Sequence, residues 1–358
     1  MSWENNTRRV VPYVPGEQPK IKNIIKLNTN ECPYPPSPAV QEKLRRMDYE
    51  DFRLYPDPQA SSLVWALAEY YDISEDQVFV GVGSDDVISM AFLTFFNSDK
   101  PILFPDVTYS FYDVWADLYK IPFKRVPLDE NFKIIKEDYY QENGGIIFPN
   151  PNAPTGILED LDMIEDVVRH NPDVVVIVDE AYIDFGGKSA LPLIDKYENL
   201  LIVQTFSKSR AMAGLRIGYA FGSKKLIGYL QDAKFSFNSY TMNRPSLEVG
   251  AAAVEDQTYF KDVCRKIIAT RERIKPELKA LGFEFPDSMA NFIFAKHKTV
   301  PGKDIFEELR ERGIVVRRWD ADRISDYLRI TIGTDEEMDV LLKALKEILF
   351  KKSLDKKR

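Results

Sequence analysis

The chain has 358 residues, of which 44% are hydrophobic and 29% are charged, an ordinary composition for a globular protein long enough to form two domains. Acidic residues outnumber basic ones by 56 to 48, so the net charge of −8 argues against a nucleic-acid partner. Two histidines and two distant cysteines, Cys32 and Cys264, argue against a His-based metal site and a Ser-His-Asp triad. We therefore predict no metal.

The sequence also argues against a membrane protein. Nothing approaches the run of about 18 apolar residues that a spanning helix requires, and the N-terminus MSWENNTRRV lacks the apolar region of a signal peptide. The few cysteines fit a reducing compartment. We expect a soluble, cytoplasmic protein with no membrane partner.

Residues 1–40 are rich in proline and asparagine and weakly periodic, so we expect an irregular arm that packs on another part of the molecule. Asp57-Pro58 predicts the N-cap and first turn of a helix. A capping-box pattern at Ser74 then precedes the short buried strand VFVG, and a further helix is predicted to begin at Ser84.

Five more strands follow, several of them apolar on both faces. They are PILF (101–104), IPFKRV (121–126), GGIIFPN (144–150), DVVVIVDE (173–180) and LLIVQTF (200–206). Apolar strands that alternate with helices indicate a mainly parallel sheet covered on both sides. We therefore predict an α/β fold with this sheet in a large domain, residues 41–249.

The pattern changes after Glu248, where two long helices surround a few short strands. The first helix is predicted at about 258–281, and Thr334 with Glu337 forms a capping box for the last one. The strands between them are FIFA (292–295), IVVR (314–317) and YLRITIG (327–333). We predict a smaller α+β domain formed by residues 250–358 together with the arm 1–40.

Polar residues follow several of the predicted strands. They are Gly83-Ser84-Asp85, Asn150-Pro151-Asn152, Asp179-Glu180-Ala181-Tyr182 and Ser207-Lys208. In open α/β sheets, ligands bind at the carboxyl ends of the strands, so we expect these segments to meet at one edge. Together they contain a lysine that can hold an aldehyde as an imine, an acid for a pyridine nitrogen, and an anion cradle. This set predicts a pyridoxal-phosphate (PLP) site.

The individual residue types suit that chemistry. Ser84 begins a helix after a glycine-containing turn, so the backbone N–H groups of Ser84 and Asp85 can point at a phosphate. Arg216, eight residues after Lys208, adds a bidentate cation. Asp179 ends an apolar strand and is partly desolvated there, which suits a carboxylate that forms one specific charge pair.

Several segments resemble the motifs of class I/II, fold-type I aminotransferases, which use PLP. They are TFSKSRAMAGLRIGY (205–219), FPNPNAPTG (148–156) and VDEAYIDF (178–185), in the family's order and spacing. Three others resemble the histidinol-phosphate aminotransferase subgroup, namely IIKLNTNECPYPPSP (24–38), RLYPDP (53–58) and LRITIGT (328–334). The similarity runs from about Tyr13 to Thr334.

The resemblance implies a role for each matching residue around the cofactor. Lys208 would form the Schiff base and move the proton at the substrate Cα, and Asp179 would pair with the pyridine nitrogen. Asn152 and Tyr182 would bond the phenolate oxygen, while Tyr109 would stack on the ring. The residues implied in phosphate binding are Ser84, Asp85, Ser207 and Arg216 within the chain and Tyr55 of the neighbouring subunit, so a homodimer is implied.

On the substrate side, Arg329 would bind the carboxylate of glutamate or 2-oxoglutarate, and Arg329 with Arg317 would grip the phosphate of histidinol phosphate. Tyr13 on the arm would help to close the substrate pocket, and Asn152 would also contact substrate. Strand alternation cannot rank Arg317 against the adjacent Arg318. Cys32 stands where the subgroup usually has asparagine, which leaves the identity of the substrate open.

The implied reaction transfers the amino group of histidinol phosphate to 2-oxoglutarate, in histidine biosynthesis. Two alternatives stay open at this stage. One is an aromatic amino-acid aminotransferase, because the same pocket can accept a flat ring. The other is a PLP-dependent threonine-phosphate decarboxylase, because such relatives share the lysine, aspartate and arginine motifs.

Overall fold

Strands and helices alternate along most of the chain in the computed structural model, which describes residues 2–18 and 24–355. The strands are β1 (Ile25–Lys26), β2 (Val78–Gly81), β3 (Ile102–Pro105), β4 (Phe123–Val126), β5 (Ile146–Pro149), β6 (Val176–Asp179), β7 (Leu200–Thr205), β8 (Gly218–Phe221), β9 (Phe283–Glu284), β10 (Phe292–His297), β11 (Ile314–Val315) and β12 (Tyr327–Thr331). The helices are α1 (Pro38–Arg45), α2 (Ser61–Tyr71), α3 (Ser84–Phe95), α4 (Phe111–Tyr119), α5 (Leu161–His170), α6 (Lys224–Phe237), α7 (Arg244–Glu255), α8 (Gln257–Ala280), α9 (Gly302–Glu311) and α10 (Asp335–Asp355).

Seven strands form one sheet in the order β2-β8-β7-β6-β5-β3-β4. The strands from β7 to β4 run parallel, whereas β8 runs antiparallel to both β7 and β2. The predicted α/β fold with a mainly parallel sheet is therefore confirmed. Strand β8 was not predicted, because it is short and directly follows the irregular loop after Lys208.

Both faces of this sheet are buried, as the continuous apolar strands predict. Val176 and Val178 of β6 pack into the apolar cluster on one face, while Ile177 packs into the cluster on the other. Helices α2, α5 and α7 contribute to the first cluster, and α3, α4 and α6 contribute to the second. Alternating residues of one strand thus fill the apolar layers on the two faces of the sheet.

The predicted helix starts differ in their outcome. Helix α3 begins at Ser84 and a capping box forms at Ser74, both as predicted. The prediction that Asp57 is the N-cap of α2 is wrong, because α2 begins at Ser61 after the left-handed Ala60 (φ 56°). Pro58 and Gln59 form a turn first, and Asp57 Oδ2 still accepts the N–H of Ser61 at 2.7 Å.

The remaining strands belong to a second unit with its own apolar core. Strands β12, β10 and β9 form an antiparallel sheet, and β1 of the arm pairs in parallel with β11. Buried residues of α8, α9 and α10 fill this core. Strand β11 is shorter than predicted, since Arg317 pairs separately with Arg329. The second unit therefore joins both ends of the chain.

The predicted division of the chain at residues 41 and 249 stays a prediction. Residue 249 lies within α7, whose buried Val249 and Val254 pack in the core of the large sheet. Residue 1, residues 19–23 of the predicted arm and residues 356–358 lie outside the described residues. Among the helices that are described, none is both long enough and apolar enough to cross a bilayer.

Candidate active site

A cavity of about 370 Å³ lies at the carboxyl ends of the parallel strands. We call it the strand-end cavity. Eight of the predicted site residues line it, namely Ser84, Asp85, Tyr109, Asp179, Tyr182, Ser207, Lys208 and Arg216. A larger groove, of about 830 Å³, opens at the opposite ends of the strands, near His170 and Asn199, and none of the predicted site residues lines it. The chemistry-bearing residues therefore converge at the edge that the sequence predicted.

Asp179 is the last residue of β6 and is buried. Its Oδ2 accepts a hydrogen bond from the Tyr112 hydroxyl at 2.9 Å, and its Oδ1 accepts one from the Ala181 N–H at 3.2 Å. Burial raises the pKa of Asp179 to about 6, against the lowering effect of these two bonds. In the described part of the chain, no cationic side chain forms an ion pair with it, so a cationic ligand atom would complete its surroundings.

Lys208 lies three residues beyond the end of β7 and is half-buried. Its Nζ donates to the Thr29 carbonyl at 3.1 Å and lies 5.9 Å from the centre of the Tyr182 ring. Burial, followed by the positive charge of Arg329, lowers the pKa of Lys208 to about 8. A substantial fraction of the amine is therefore neutral near physiological pH, the form that attacks a carbonyl or accepts a proton.

The donors for an anion gather at the N-terminus of α3. The first N–H groups of a helix have no acceptor within the helix, so those of Ser84 and Asp85 are available to a ligand. The turn requires glycine at two places. Gly83 has a φ of +85°, and a Cβ on Gly218 would lie 2.2 Å from the backbone nitrogen of Ser84. The guanidinium of Arg216 reaches this turn, with Nη2 3.3 Å from Asp85 Oδ2.

Ser207 and two tyrosines complete the lining of the strand-end cavity. Ser207 is buried, and its hydroxyl lies 3.0 Å from that of Thr205. Tyr109 donates its hydroxyl proton to Asp85 Oδ1 at 2.9 Å, which holds its ring at the cavity wall. The buried Tyr182 hydroxyl accepts a hydrogen bond from Asn30 Nδ2 at 2.9 Å. Since Asn30 is the donor in that bond, the Tyr182 proton is left for another acceptor.

A second cavity, of about 130 Å³, adjoins the first, and we call it the arginine cavity. It is lined by Tyr13, Arg317, Trp319 and Arg329, and it shares the wall residues Thr29, Tyr109, Ala153, Tyr182 and Lys208 with the strand-end cavity. Tyr13 lies against Phe111, with ring centres 4.1 Å apart. Lys208 therefore borders both cavities.

The structure separates Arg317 from Arg318. Arg317 and Arg329 exchange two backbone hydrogen bonds, of 3.1 and 2.8 Å, and both side chains line the arginine cavity. Arg318 instead donates to the Ser325 carbonyl at 2.7 Å and to Asp320 Oδ1 at 2.6 Å, away from that cavity. Of the two adjacent arginines, Arg317 is the one that faces the site.

Two predicted residues are not brought to the cavities of this chain. The buried Asn152 donates from Nδ2 to the Val107 carbonyl and to Thr155 Oγ1, both at 3.0 Å, and lines neither cavity. Its predicted contacts with cofactor and substrate would require one of these bonds to be exchanged. Tyr55 is 78% exposed and stacks on Tyr240 at 4.5 Å. Tyr55 therefore lies on the surface, accessible to a neighbouring subunit, and not in the cavities of its own chain.

Sequence reasoning missed three residues of the site. Tyr112 is a buried core aromatic whose hydroxyl also bonds Asp179. Asn30 adopts a left-handed conformation (φ 56°), which asparagine tolerates, and so reaches Tyr182. Trp319 follows the two adjacent arginines in the chain and lines the arginine cavity. The aromatic residue next to a candidate arginine was the one available signal for Trp319.

Comparison with known proteins places the chain in a family. The model of the family described as aminotransferase class I and II matches residues 22–345. The chain is 51% identical to the histidinol-phosphate aminotransferase of Lactococcus lactis subsp. cremoris (strain MG1363), over 98% of each chain. It is 53% identical to histidinol-phosphate aminotransferase 1 of Hydrogenovibrio crunogenus, over 97% of this chain and 98% of the other.

Solved structures share the fold at lower identity. The histidinol-phosphate aminotransferase of Sinorhizobium meliloti, in complex with pyridoxal-5′-phosphate, superposes with a TM-score of 0.84 at 24% identity and covers 91% of each chain. The enzyme of the same name from Clostridium acetobutylicum gives a TM-score of 0.83 at 24% identity, over 92% of this chain and all of the other. Because the family model matches most of the sequence, and relatives of about half-identical sequence span its length, the chain belongs to the class I and II aminotransferases.

Proposed function

We propose that this chain is a PLP-dependent transaminase that passes the amino group of histidinol phosphate to 2-oxoglutarate, in histidine biosynthesis. One observation carries this proposal, namely that Lys208 lies in the wall that the two cavities share. The strand-end cavity offers an amine, an acid and anion donors. The arginine cavity offers two cations for an anionic substrate. The relatives named above, which match nearly the whole chain, support the choice of substrate.

The side chains of the strand-end cavity fit PLP. Asp179 is a buried carboxylate without a cationic partner in the described ranges of the chain, which suits a protonated pyridine nitrogen. The first turn of α3, Ser207 and Arg216 suit a phosphate. Tyr182 has a proton to donate to a phenolate oxygen, and Lys208 has an amine for the aldehyde. When bound, PLP supplies an electron sink for negative charge at the substrate Cα.

The chain's own residues then bind substrate and move its proton. The Lys208 amine, with its pKa lowered to about 8, takes the proton from the substrate Cα. Arg317 and Arg329 hold the phosphate of histidinol phosphate, and Arg329 binds the carboxylate of 2-oxoglutarate in the second half-reaction. Tyr13, stacked on Phe111, restricts the entry of water from the side of the arm.

We also propose that the active unit is a cytoplasmic homodimer. Exposed apolar side chains support the dimer, namely Phe52, Leu54 and Tyr55 in one short segment and Tyr240, which stacks on Tyr55. A contiguous apolar patch on a protein surface is typical of an interface. Within this proposal, Tyr55 contributes to the phosphate end of the partner's site.

The test is a half-reaction measured on the purified holoenzyme. We expect histidinol phosphate to quench the visible absorbance of the bound cofactor, with phenylalanine and tyrosine far slower, and 2-oxoglutarate to restore the absorbance with stoichiometric formation of glutamate. Faster quenching by phenylalanine or tyrosine would replace the substrate assignment with an aromatic one. Release of carbon dioxide from threonine phosphate without formation of glutamate would replace transamination with decarboxylation.

A further inference from the structure

One aromatic ring contacts both guanidinium groups of the arginine cavity. The guanidinium carbon of Arg317 lies 5.4 Å from the centre of the Trp319 ring, and that of Arg329 lies 5.2 Å from it. These distances are within the range of cation–π attraction. Trp319 is itself partly buried and lines the same cavity. Its indole is therefore placed to affect the positions of both cations at once.

The guanidiniums of Arg317 and Arg329 carry the same charge and lie against the same ring. Their backbones form a directly paired position, where like charges repel. Neither forms an ion pair within residues 2–18 and 24–355. The Arg317 guanidinium donates to the carbonyls of Val14 and Pro15, and Arg329 Nη2 donates to the Asn28 carbonyl at 3.0 Å.

One buried N–H group of the two arginines lacks a hydrogen-bond acceptor among the described residues. Arg329 Nε is buried and has no hydrogen-bond partner among the described residues. A buried N–H without an acceptor is unfavourable, and an anion in the cavity would supply one. The negative face of the Trp319 ring offsets part of the repulsion between the cations until such an anion binds. The arrangement suits a ligand with more than one negative charge.

We propose that Trp319 is a positioning residue that holds the Arg317 and Arg329 guanidiniums together for a phosphate monoester dianion, and thereby sets the preference for phosphorylated over unphosphorylated amines. The inference rests on the proposed function. It adds a residue to that function. The face of the Trp319 ring cannot hydrogen-bond an anion, so the ring acts on the phosphate through the two guanidiniums that it positions.

The two substrates of the proposed reaction distinguish this role from a general structural one. A phosphate has three terminal oxygens and occupies both guanidiniums. 2-Oxoglutarate instead carries two separate carboxylates, of which Arg329 binds one in the proposed function, so no single group of that substrate requires both guanidiniums. Loss of the ring should therefore weaken histidinol phosphate much more than 2-oxoglutarate. A ring that merely supported the fold would weaken both substrates alike and lower kcat.

The experiment is steady-state kinetics of the holoenzyme with histidinol phosphate, histidinol and 2-oxoglutarate, for Trp319→Leu, Trp319→Met and Trp319→Phe. Removal of the aromatic face should raise KM for histidinol phosphate about 10-fold, since one or two cation–π contacts are lost. The preference for histidinol phosphate over histidinol should fall by the same factor. KM for 2-oxoglutarate should stay within about 2-fold, and Trp319→Phe should restore most of the loss. Trp65→Leu, a change at an exposed tryptophan of α2, serves as the matched control.

Competitive inhibition by inorganic phosphate provides a second reading, which does not depend on turnover of the amine. It should weaken in the leucine and methionine variants and recover in the phenylalanine variant. An unchanged preference, equal rises of KM for both substrates, or no recovery with phenylalanine would each overturn the role of Trp319. If the leucine variant does not fold, the methionine and phenylalanine variants decide by the same criteria. Failure of the wild-type enzyme to use histidinol phosphate would instead overturn the proposed function.

Discussion

The two cavities of the candidate site are built from different kinds of structure. The strand-end cavity takes its side chains from positions fixed by the sheet, such as Asp179 at the end of β6 and Ser84 at the start of α3. The arginine cavity is assembled from the arm, the segment after β11 and strand β12, which are far apart in the chain. A rigid sheet edge suits a ligand that every reaction shares, whereas loops suit the part that selects substrate.

The two cavities also differ in the charge of their lining side chains. Among the residues that the structure describes, the buried acid Asp179 has no cationic partner, whereas the cations Arg317 and Arg329 have no acidic partner. Substitutions in the first cavity should therefore lower kcat, and substitutions in the second should raise KM. Three substitutions and one pH dependence, taken from the largest expected effect to the smallest, test this division.

Asp179→Asn should lower kcat about 10³-fold, because the amide keeps the volume of the acid but removes the charge that stabilises a cationic ligand atom. KM for the amine should change little. Steady-state kinetics at saturating cofactor measures both quantities. Asp113→Asn, at a surface carboxylate paired with Arg125, is the control and should keep wild-type activity. A kcat for Asp179→Asn within a few-fold of the wild type would remove the acid from the site.

Arg329→Gln should lower kcat/KM for histidinol phosphate by about 10²-fold, mostly through KM, since charge-assisted hydrogen bonds to the anion are lost. Arg318→Gln is a close control, because that arginine is adjacent to Arg317 yet donates to Ser325 and Asp320. It should behave as the wild type. Equal losses in Arg329→Gln and Arg318→Gln would mean that the arginines that face the cavity have been assigned wrongly.

Tyr112→Phe should lower kcat about 5-fold, because a hydrogen bond from an uncharged donor to the Asp179 carboxylate is removed. The Tyr112 hydroxyl lowers the pKa of Asp179, so its removal should move the acidic limb of the pH–kcat profile to higher pH. Tyr119→Phe removes a hydroxyl from the same helix, one that bonds Ser89 instead, and should leave the profile in place. An acidic limb at the same pH in Tyr112→Phe would show that this hydrogen bond does not affect the pKa of Asp179.

The rate at which the apoenzyme takes up PLP should rise with pH, reach half of its maximum near pH 8 and level off at higher pH. Only the neutral amine attacks the aldehyde, and the pKa of Lys208 is lowered to about 8. Stopped-flow absorbance between pH 6 and pH 10 follows this rate. Arg329→Gln should shift the midpoint upward, because the positive charge of Arg329 helps to lower that pKa. A rate that still climbs steeply near pH 10 would indicate an ordinary lysine.

The same contrast explains what could be predicted from sequence. Asp179 and Lys208 follow apolar strands, so their convergence required only the rule that parallel strands end at one edge. Arg317 could not be ranked above Arg318, because the choice depends on pairing with β12 across an irregular loop. Asn152 could not be placed, since its bonds to Val107 and Thr155 depend on how a distant segment closes.

Local signals also failed where tertiary contacts decide the outcome. The capping acid Asp57 acts from outside α2, because the turn at Pro58 ends in the left-handed Ala60 before the helix begins. Tyr112 sits at a helical spacing that is typical of the core, and nothing in that spacing reveals that its hydroxyl meets a strand end. The fold was therefore more predictable than the second layer of contacts around the site.

Chemical trapping of the lysine tests the central claim most directly. The holoenzyme is reduced with borohydride and digested, and the peptide that carries the cofactor mass is identified by mass spectrometry. We expect the label on Lys208, with Lys208→Ala neither labelled nor active. Labelling of another lysine in the wild-type enzyme, or full turnover by Lys208→Ala, would contradict the placement of the cofactor in the strand-end cavity.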